Sequence, residues 1–338
     1  MSDVKKIVIT GGAGFIGSQL AERLLSSGDV EIVIFDSFRH GHNTNLDAIA
    51  ENPAIRLVNG DIRNQQQVEN LLDEDVDIVF HLSSIVGIEH YCRDPLEVID
   101  VNVLGTRYVA EMALKRDFRV LYASTSEVFG RNPKIPWSEN DDRVLGSTTV
   151  DRWSYSSSKS LCEHMLFALT KHQGLKCSIV RLFNVYGPRQ NPIFVVSRGI
   201  QRVINGKPPI VYDSGEQNRC FTFVKDAIEG IILASESEDA IGEAFNIGSN
   251  KPTTISEVSE IILELGDSSG KLELQSIDTK ELYGSRYEDI GLRVPEISKA
   301  SKVLGWSPTT SIRDGISETI EWAKGNKHWL SMESNVAL

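Results

Sequence analysis

The stretch from Lys5 to Gly17, KKIVITGGAGFIG, decides the fold. A short apolar run leads straight into a glycine turn and then into residues that open a helix. This is the order in which a doubly wound α/β layer structure begins. Gly11 allows a tight turn, Gly14 lets the backbone approach a pyrophosphate, and Gly17 permits close helix–strand packing. A diphosphate placed there would meet the free N–H groups and the favourable dipole of a helix N-terminus. Such a turn can also exist with no ligand, so the residues beyond it matter. The second apolar run ends at Asp36, nineteen residues beyond Gly17. A carboxylate there can accept hydrogen bonds from the adenosine ribose and would repel a 2′-phosphate, which favours NAD over NADP; Arg39 is the residue that speaks against this. Asp61-Ile62 comes after the third run and is placed to frame an adenine.

Outward from this turn, KKIVIT, EIVIFD, IRLVNGD, DIVFHLS, RVLYAST and CSIVRLF read as strands buried on both faces of a parallel sheet. Amphipathic stretches at Ser18–Ser27, Gln66–Leu72, Pro95–Arg116 and Ser158–His172 alternate with them. Past Asn184, prolines and glycines punctuate shorter elements. The expected division is a Rossmann domain over 1–183 with a returning segment at about 220–248, and a smaller mixed α/β substrate lobe over 184–219 and 249–325.

The 338 residues carry a formal net charge of −12, which argues against general nucleic-acid binding but not against a small anionic ligand in a locally basic pocket. The four cysteines lack CxxC spacing and the seven histidines lack HExxH, so neither a disulfide framework nor a metal site is expected. There is no apolar run of membrane-spanning length and no signal-peptide pattern, and a cytosolic protein is expected.

In RWSYSSSKSLCEHM, Tyr155 and Lys159 stand four apart at the start of a helix and share a face. An ammonium near a phenol favours the phenolate, giving a base able to take a hydroxyl proton near neutral pH. Such a pair also occurs by chance on exposed helices. Here it comes after LYASTSEVFG, which puts Thr125, Ser126 and Glu127 at a strand's carboxyl end, where ligands of these sheets bind.

Together GGAGFIG, Asp36, STSEVFG, YSSSK, RLFNVYGPR and RCFTFVKDAIEG resemble the extended short-chain dehydrogenase/reductases that act on nucleotide sugars, over about Lys5 to Trp322. The resemblance implies NAD as cofactor and oxidation of the sugar at C4. Tyr155 would be the base, Lys159 would hold the nicotinamide ribose and tune the tyrosine, and Thr125 would bond the reacting hydroxyl. It also implies that Asn184, Arg219 and Arg286 contact the nucleotide diphosphate and that Tyr212 lies against the base. The candidate cofactor residues are then Gly11, Gly14, Phe15, Ile16, Gly17, Asp36, Asp61, Ile62, Leu82, Tyr155 and Lys159.

Members of the family share C4 oxidation and differ in the fate of the 4-ketone. A 4-epimerase returns hydride to the other face; a 4,6-dehydratase needs a C5 base and a C6 acid, often an adjacent Asp-Glu. In a uronate decarboxylase the 4-ketone itself makes the acid labile. Here Ser126 precedes Glu127, and Arg152-Trp153, RCFT and LYGSRYEDIGLRVPEISKASKVLGWSP resemble UDP-glucuronate decarboxylases and UDP-apiose/xylose synthases. The expected activity is UDP-glucuronate decarboxylation, with 4-epimerase or 4,6-dehydratase as alternatives. A non-catalytic sugar-nucleotide sensor and a simple alcohol dehydrogenase are the readings from outside this set. The segment from Asn191 to Lys207 is shorter than in the decarboxylases, so no carboxylate-recognising residue transfers. Apolar stripes around Val98–Ala113 and Leu161–Leu169 predict a homodimer.

Overall fold

The computed structural model describes residues 4–39, 41–72, 75–277 and 292–332. Its centre is a seven-stranded sheet in which every pairing is parallel. The strands are β1 (Lys5–Thr10), β2 (Val30–Asp36), β3 (Ile55–Asn59), β4 (Ile78–His81), β5 (Arg119–Thr125), β6 (Cys177–Leu182) and, further along, β11 (Ala244–Ile247). Their spatial order is β3-β2-β1-β4-β5-β6-β11. The order reverses beside β1, and this opens a crevice at the carboxyl ends of β1 and β4.

Two apolar layers flank the sheet. On one side α1 (Phe15–Leu25) packs with α7 (Val224–Glu236), which covers the centre and the β11 end. On the other lie α2 (Gln65–Leu72), α4 (Pro95–Arg116) and α5 (Trp153–Gln173), joined by the short α3 (Ile88–Arg93). β1, β4, β5 and β6 are buried along nearly their whole lengths, as continuous Val/Ile runs require. β3 departs from the expected burial on both faces: Arg56, Leu57 and Asn59 are exposed. It is an edge strand, and the connection that leads into it holds, among the described residues, only one short 3-10 turn at Asn43–Asn45, so less of it is covered than of β11 at the other edge.

Two of the expected helices start earlier than their apolar periodicity. α1 begins at Phe15 because Gly14 already serves as its cap, and α5 begins at Trp153, ahead of the apolar run. The returning segment expected at about 220–248 supplies α7 and β11.

Small sheets stand past the carboxyl edge. In sequence order their strands are β7 (Val185–Tyr186), β8 (Ile210–Tyr212), β9 (Asn218–Arg219), β10 (Thr222–Phe223), β12 (Thr253–Thr254), β13 (Gln275–Ile277) and β14 (Leu292–Arg293). β9 pairs with both β12 and β14, and β8 pairs with β13. Among the described residues no helix is long and apolar enough to cross a membrane.

Candidate active site

The glycines of the first turn do different work. Gly11 sits at φ +72°, and a Cβ on it would stand 2.9 Å from the Ser83 backbone. A Cβ on Gly17 would stand 2.5 Å from the Gly11 carbonyl, so this glycine lets α1 close onto the turn. A Cβ on Gly14 would meet no more than that carbonyl at 3.1 Å. Its other side is open, and α1 carries no side-chain cap. An anion is therefore the fitting partner for the first N–H groups of Phe15, Ile16 and Gly17. A dinucleotide fits this cradle.

Asp36 ends β2 buried. Its carboxylate accepts from Ala13 N at 3.0 Å and Phe38 N at 2.8 Å, bracing the glycine turn. Burial moves its pKa up against those hydrogen bonds. Arg39, which could have welcomed a 2′-phosphate, donates to Glu97 at 2.5 Å, and Arg63 joins Glu97 to Asp61. The hydrogen bond from Arg63 holds the Asp61 carboxyl below its usual range. Ile62 is buried against α4, where Gly105 leaves room for it. Leu82 comes directly after β4 and donates its N–H to Thr10 O at 3.1 Å.

Tyr155 and Lys159 share the inner face of α5, 5% and 2% exposed. The hydroxyls of Ser84 and Thr125 face the Tyr155 hydroxyl and favour its phenolate. Lys159 Nζ donates to Ala123 O at 2.8 Å and lies 4.6 Å from the Tyr122 ring centre. Burial brings Lys159 down to about 8. Lys159 is not among the groups that move Tyr155, so the lowering expected from its ammonium is not seen. Burial, and then the Glu127 charge, push the phenol above its ordinary pKa, while Lys159 is turned to a carbonyl.

Thr125 caps the turn that carries Ser126 and Glu127, accepting from Glu127 N at 3.2 Å. Glu127 is the centre of charge. Its carboxylate pairs with Arg293 through one oxygen and with Arg152 through the other, at 3.4 Å. Burial raises the Glu127 carboxyl, but the charges of Arg293 and Arg152 outweigh it and hold the group below the usual range. Arg219 acts on Glu127 in the same direction. Asn184 stands beside the returning chain at φ +37°, its amide 3.5 Å from Cys220 O. Tyr212 lies further off on β8, its hydroxyl bonded by Arg198 at 3.0 Å. Arg286 lies outside the described residues.

Tyr212 and Arg286 apart, the expected residues lie at the carboxyl edge of the sheet, and several others join them. Arg293 comes from β14, 166 positions from Glu127. Tyr91 of α3 stacks on Tyr155 with centroids 4.5 Å apart and planes 4° from parallel. Ser84 bonds Asn102 at 2.7 Å, and Asn102 bonds Ser158 at 3.0 Å, which extends the hydrogen-bonded chain behind Tyr155. Arg293 lies within the LYGSRYEDIGLRVPEISK motif, which gives it no role by itself. For Tyr91, Ser84 and Asn102 there is no local signal, since each acts through a fold-made contact.

Comparison with known proteins finds relatives along most of the chain. The profile of the NAD dependent epimerase/dehydratase family matches residues 7–248. A UDP-N-acetyl-α-D-glucosaminuronate decarboxylase of Bacillus cytotoxicus is 38% identical over 321 residues, 94% of this chain and 97% of that one. UDP-glucuronic acid decarboxylase 1 of Arabidopsis thaliana is 34% identical, over 92% of this chain and 68% of the relative. Among solved structures, the UDP-glucuronic acid 4-epimerase of Bacillus cereus, in complex with UDP-glucuronic acid and NAD, superposes with a TM-score of 0.84. It is 29% identical and covers 95% of this chain and 99% of its own.

Proposed function

From the premise that this chain belongs to the NAD-dependent epimerase/dehydratase family, as the profile match over 7–248 shows, we propose that it decarboxylates a UDP-linked uronate. One observation carries the choice among the family's reactions: Glu127 is held ionised between Arg293 and Arg152. A carboxylate stabilised in this way is a poor base for a C5 proton, which a dehydratase requires. Two guanidiniums against one carboxylate also leave a surplus of positive charge for an anionic C6 group. A neutral hydroxymethyl, as in UDP-glucose, makes no use of that charge.

Gly11, Gly14, Phe15, Ile16, Gly17, Asp36, Asp61, Ile62 and Leu82 would hold NAD, with Lys159 at its nicotinamide ribose. NAD, when bound, supplies the hydride acceptor for C4. Tyr155 takes the C4 hydroxyl proton and Thr125 orients that hydroxyl. The resulting 4-ketone lies β to the C6 carboxylate, so the C5–C6 electron pair passes toward the carbonyl as carbon dioxide leaves. Glu127 and its arginines position the sugar through this step. Asn184, Arg219 and Arg286 are assigned to the diphosphate and Tyr212 to the base. Cofactor and catalysis belong to residues 1–183 with 220–248, the nucleotide sugar to 184–219 and 249–325. The chain acts as a homodimer through α4 and α5. Its four free cysteines, three of them buried, suit the reducing cytosol.

The similarity to a decarboxylase of an N-acetylated uronate supports a second form of the same reading, in which C2 carries an acetamido group. Incubation with UDP-glucuronate and with UDP-N-acetylglucosaminuronate, with product mass as the readout, tests both. Loss of carbon dioxide from either upholds the reading, and the faster substrate identifies the C2 substituent. Unchanged mass with conversion to the 4-epimer would refute it.

A further inference from the structure

We infer that Arg152 receives the C6 carboxylate of the sugar and sets the preference for an acid over a neutral sugar. This rests on the uronate reading and names the residue that reading lacks. Arg152 is 3% exposed, yet its Nε and Nη1 have no hydrogen-bond partner among the described residues. Its Nη2 reaches Glu127 at a long 3.4 Å. Buried donors are nearly always satisfied in folded proteins, and an idle pair on one side chain points to a partner that arrives from outside. Either idle nitrogen, together with the second N–H of Nη2, makes a two-pronged donor. A carboxylate, with its two coplanar oxygens, matches that fork.

The guanidinium is also held in place before any ligand comes. It lies 4.8 Å from the centre of the Trp153 ring, which is itself buried. A Cβ on Gly146 would stand 2.0 Å from the Trp153 ring nitrogen, so the ring is wedged against the chain. Arg152 caps α5 in helical conformation, φ −50° and ψ −33°, three positions before Tyr155. One rigid turn therefore carries both the hydroxyl that meets O4 and the fork. C6 lies two bonds from C4, and Glu127 feels the Arg152 charge while Tyr155 feels that of Glu127. The base and the fork are thus spaced around a single sugar ring.

The test compares ligands that differ at C6 alone, bound to NAD-loaded Tyr155→Phe protein, which holds them without turnover. In that background Arg152→Gln should weaken UDP-glucuronate by about 10- to 100-fold, the scale of a lost charged hydrogen bond. UDP-xylose, which lacks the carboxylate, should keep its affinity. Arg152→Lys should recover part of the loss, and in the active enzyme Arg152→Gln should raise KM for the uronate more than it lowers kcat. Equal weakening of both ligands would show that Arg152 merely steadies Glu127, and the inference falls. If the Gln variant does not fold, the Lys variant decides alone: a uronate-specific loss supports the inference, and an equal loss overturns it. Protein that binds the uronate through Arg152 but releases no carbon dioxide would uphold this role while overturning the decarboxylase reading.

Discussion

At the scale of single residues, the proposed function asks Tyr155 to accept a proton and Glu127 to stay ionised. The Tyr155 hydroxyl faces those of Thr125 and Ser84, so Tyr155→Phe should leave NAD affinity intact and lower turnover by about 10²-fold or more, the usual effect of losing a positioned acid–base group. A near-normal rate would hand the C4 proton to another residue. Glu127→Gln keeps the shape of the carboxylate but releases two arginines from their anion. It should slow release of carbon dioxide from UDP-glucuronate without changing the product; accumulation of oxidised sugar with bound NADH would make Glu127 a dehydratase-type base instead. Lys159 offers a test by pH. Its folded pKa is depressed to about 8 from 10.5, so the unfolded chain holds more protons between those values and the folded state gains stability as pH rises through them. The destabilisation from burying the charge is fully present below about 8. Lys159→Met removes it, and the variant's stability relative to wild type should fall by on the order of 3 kcal/mol between pH 8 and 10.5 in the ligand-free protein. A flat difference across that range in chemical denaturation would mean that Lys159 is not titrating as a buried amine.

At the scale of elements, the glycine turn distinguishes folding from binding within one short segment. An alanine at position 17 presses its Cβ into the Gly11 carbonyl and within 2.7 Å of Gly12 Cα, both backbone, so Gly17→Ala should lower the melting temperature and cofactor affinity together. An alanine at position 14 touches that carbonyl at 3.1 Å and otherwise points into the cradle, so Gly14→Ala should fold with nearly unchanged stability and bind NAD at least ~10-fold less tightly, the scale of one lost charge-assisted contact. Equal effects at both positions would remove the pyrophosphate from this turn. The contrast also explains what is legible in the chain. β1, β4, β5 and β6 are continuous apolar runs because both faces are covered, and the turn beside them is a local pattern, so both can be read residue by residue. Tyr155, Lys159 and Thr125 are legible for the same reason: each motif is short and lies next to a readable element. Arg293 meets Glu127 only because β14 is drawn against β9 after a long excursion, and Tyr91 meets Tyr155 only because α3 folds over α5. No period or spacing encodes such encounters. The electrostatics of Tyr155 escape the sequence on the same ground, since the carbonyl of Ala123 that holds Lys159 belongs to a different element.

At the scale of the whole molecule, the surface of the α4–α5 layer is unlike the rest. Leu161 is 55% exposed on α5, and Met165 and Ala168 succeed it at helical spacing on the same outer face. The stripe expected over Val98–Ala113 is largely turned inward, with Val98, Val109 and Ala113 buried in the core as Leu169 is on α5, and the exposed apolar side chains of α4 are instead Leu96, at 71%, Ile99 and Leu104. The inner faces of these two helices already pack against each other and the sheet, so Leu161, Leu96, Ile99 and Leu104 stand largely uncovered among the described residues. Their burial against a second copy would join two helices from each chain, with the stripe of one meeting the same stripe of the other about a twofold axis. The ion pair between Arg107 and Glu111 lies on the same outer face of α4 and is suited to the polar rim of such a contact. Leu161→Glu should therefore place a charge at the centre of the seam and yield monomers by light scattering, with unchanged far-ultraviolet circular dichroism. Leu57→Glu, on the exposed edge strand β3 and remote from these helices, should remain dimeric and serves as the control for added charge. Because Arg152, Tyr155 and Lys159 stand on the inner face of the same α5, loss of the partner should also loosen the turn that carries them and reduce turnover more than NAD affinity. A wild-type chain that runs as a monomer at micromolar concentration, or a Leu161→Glu variant that stays dimeric, would place the interface elsewhere and leave this stripe without a partner.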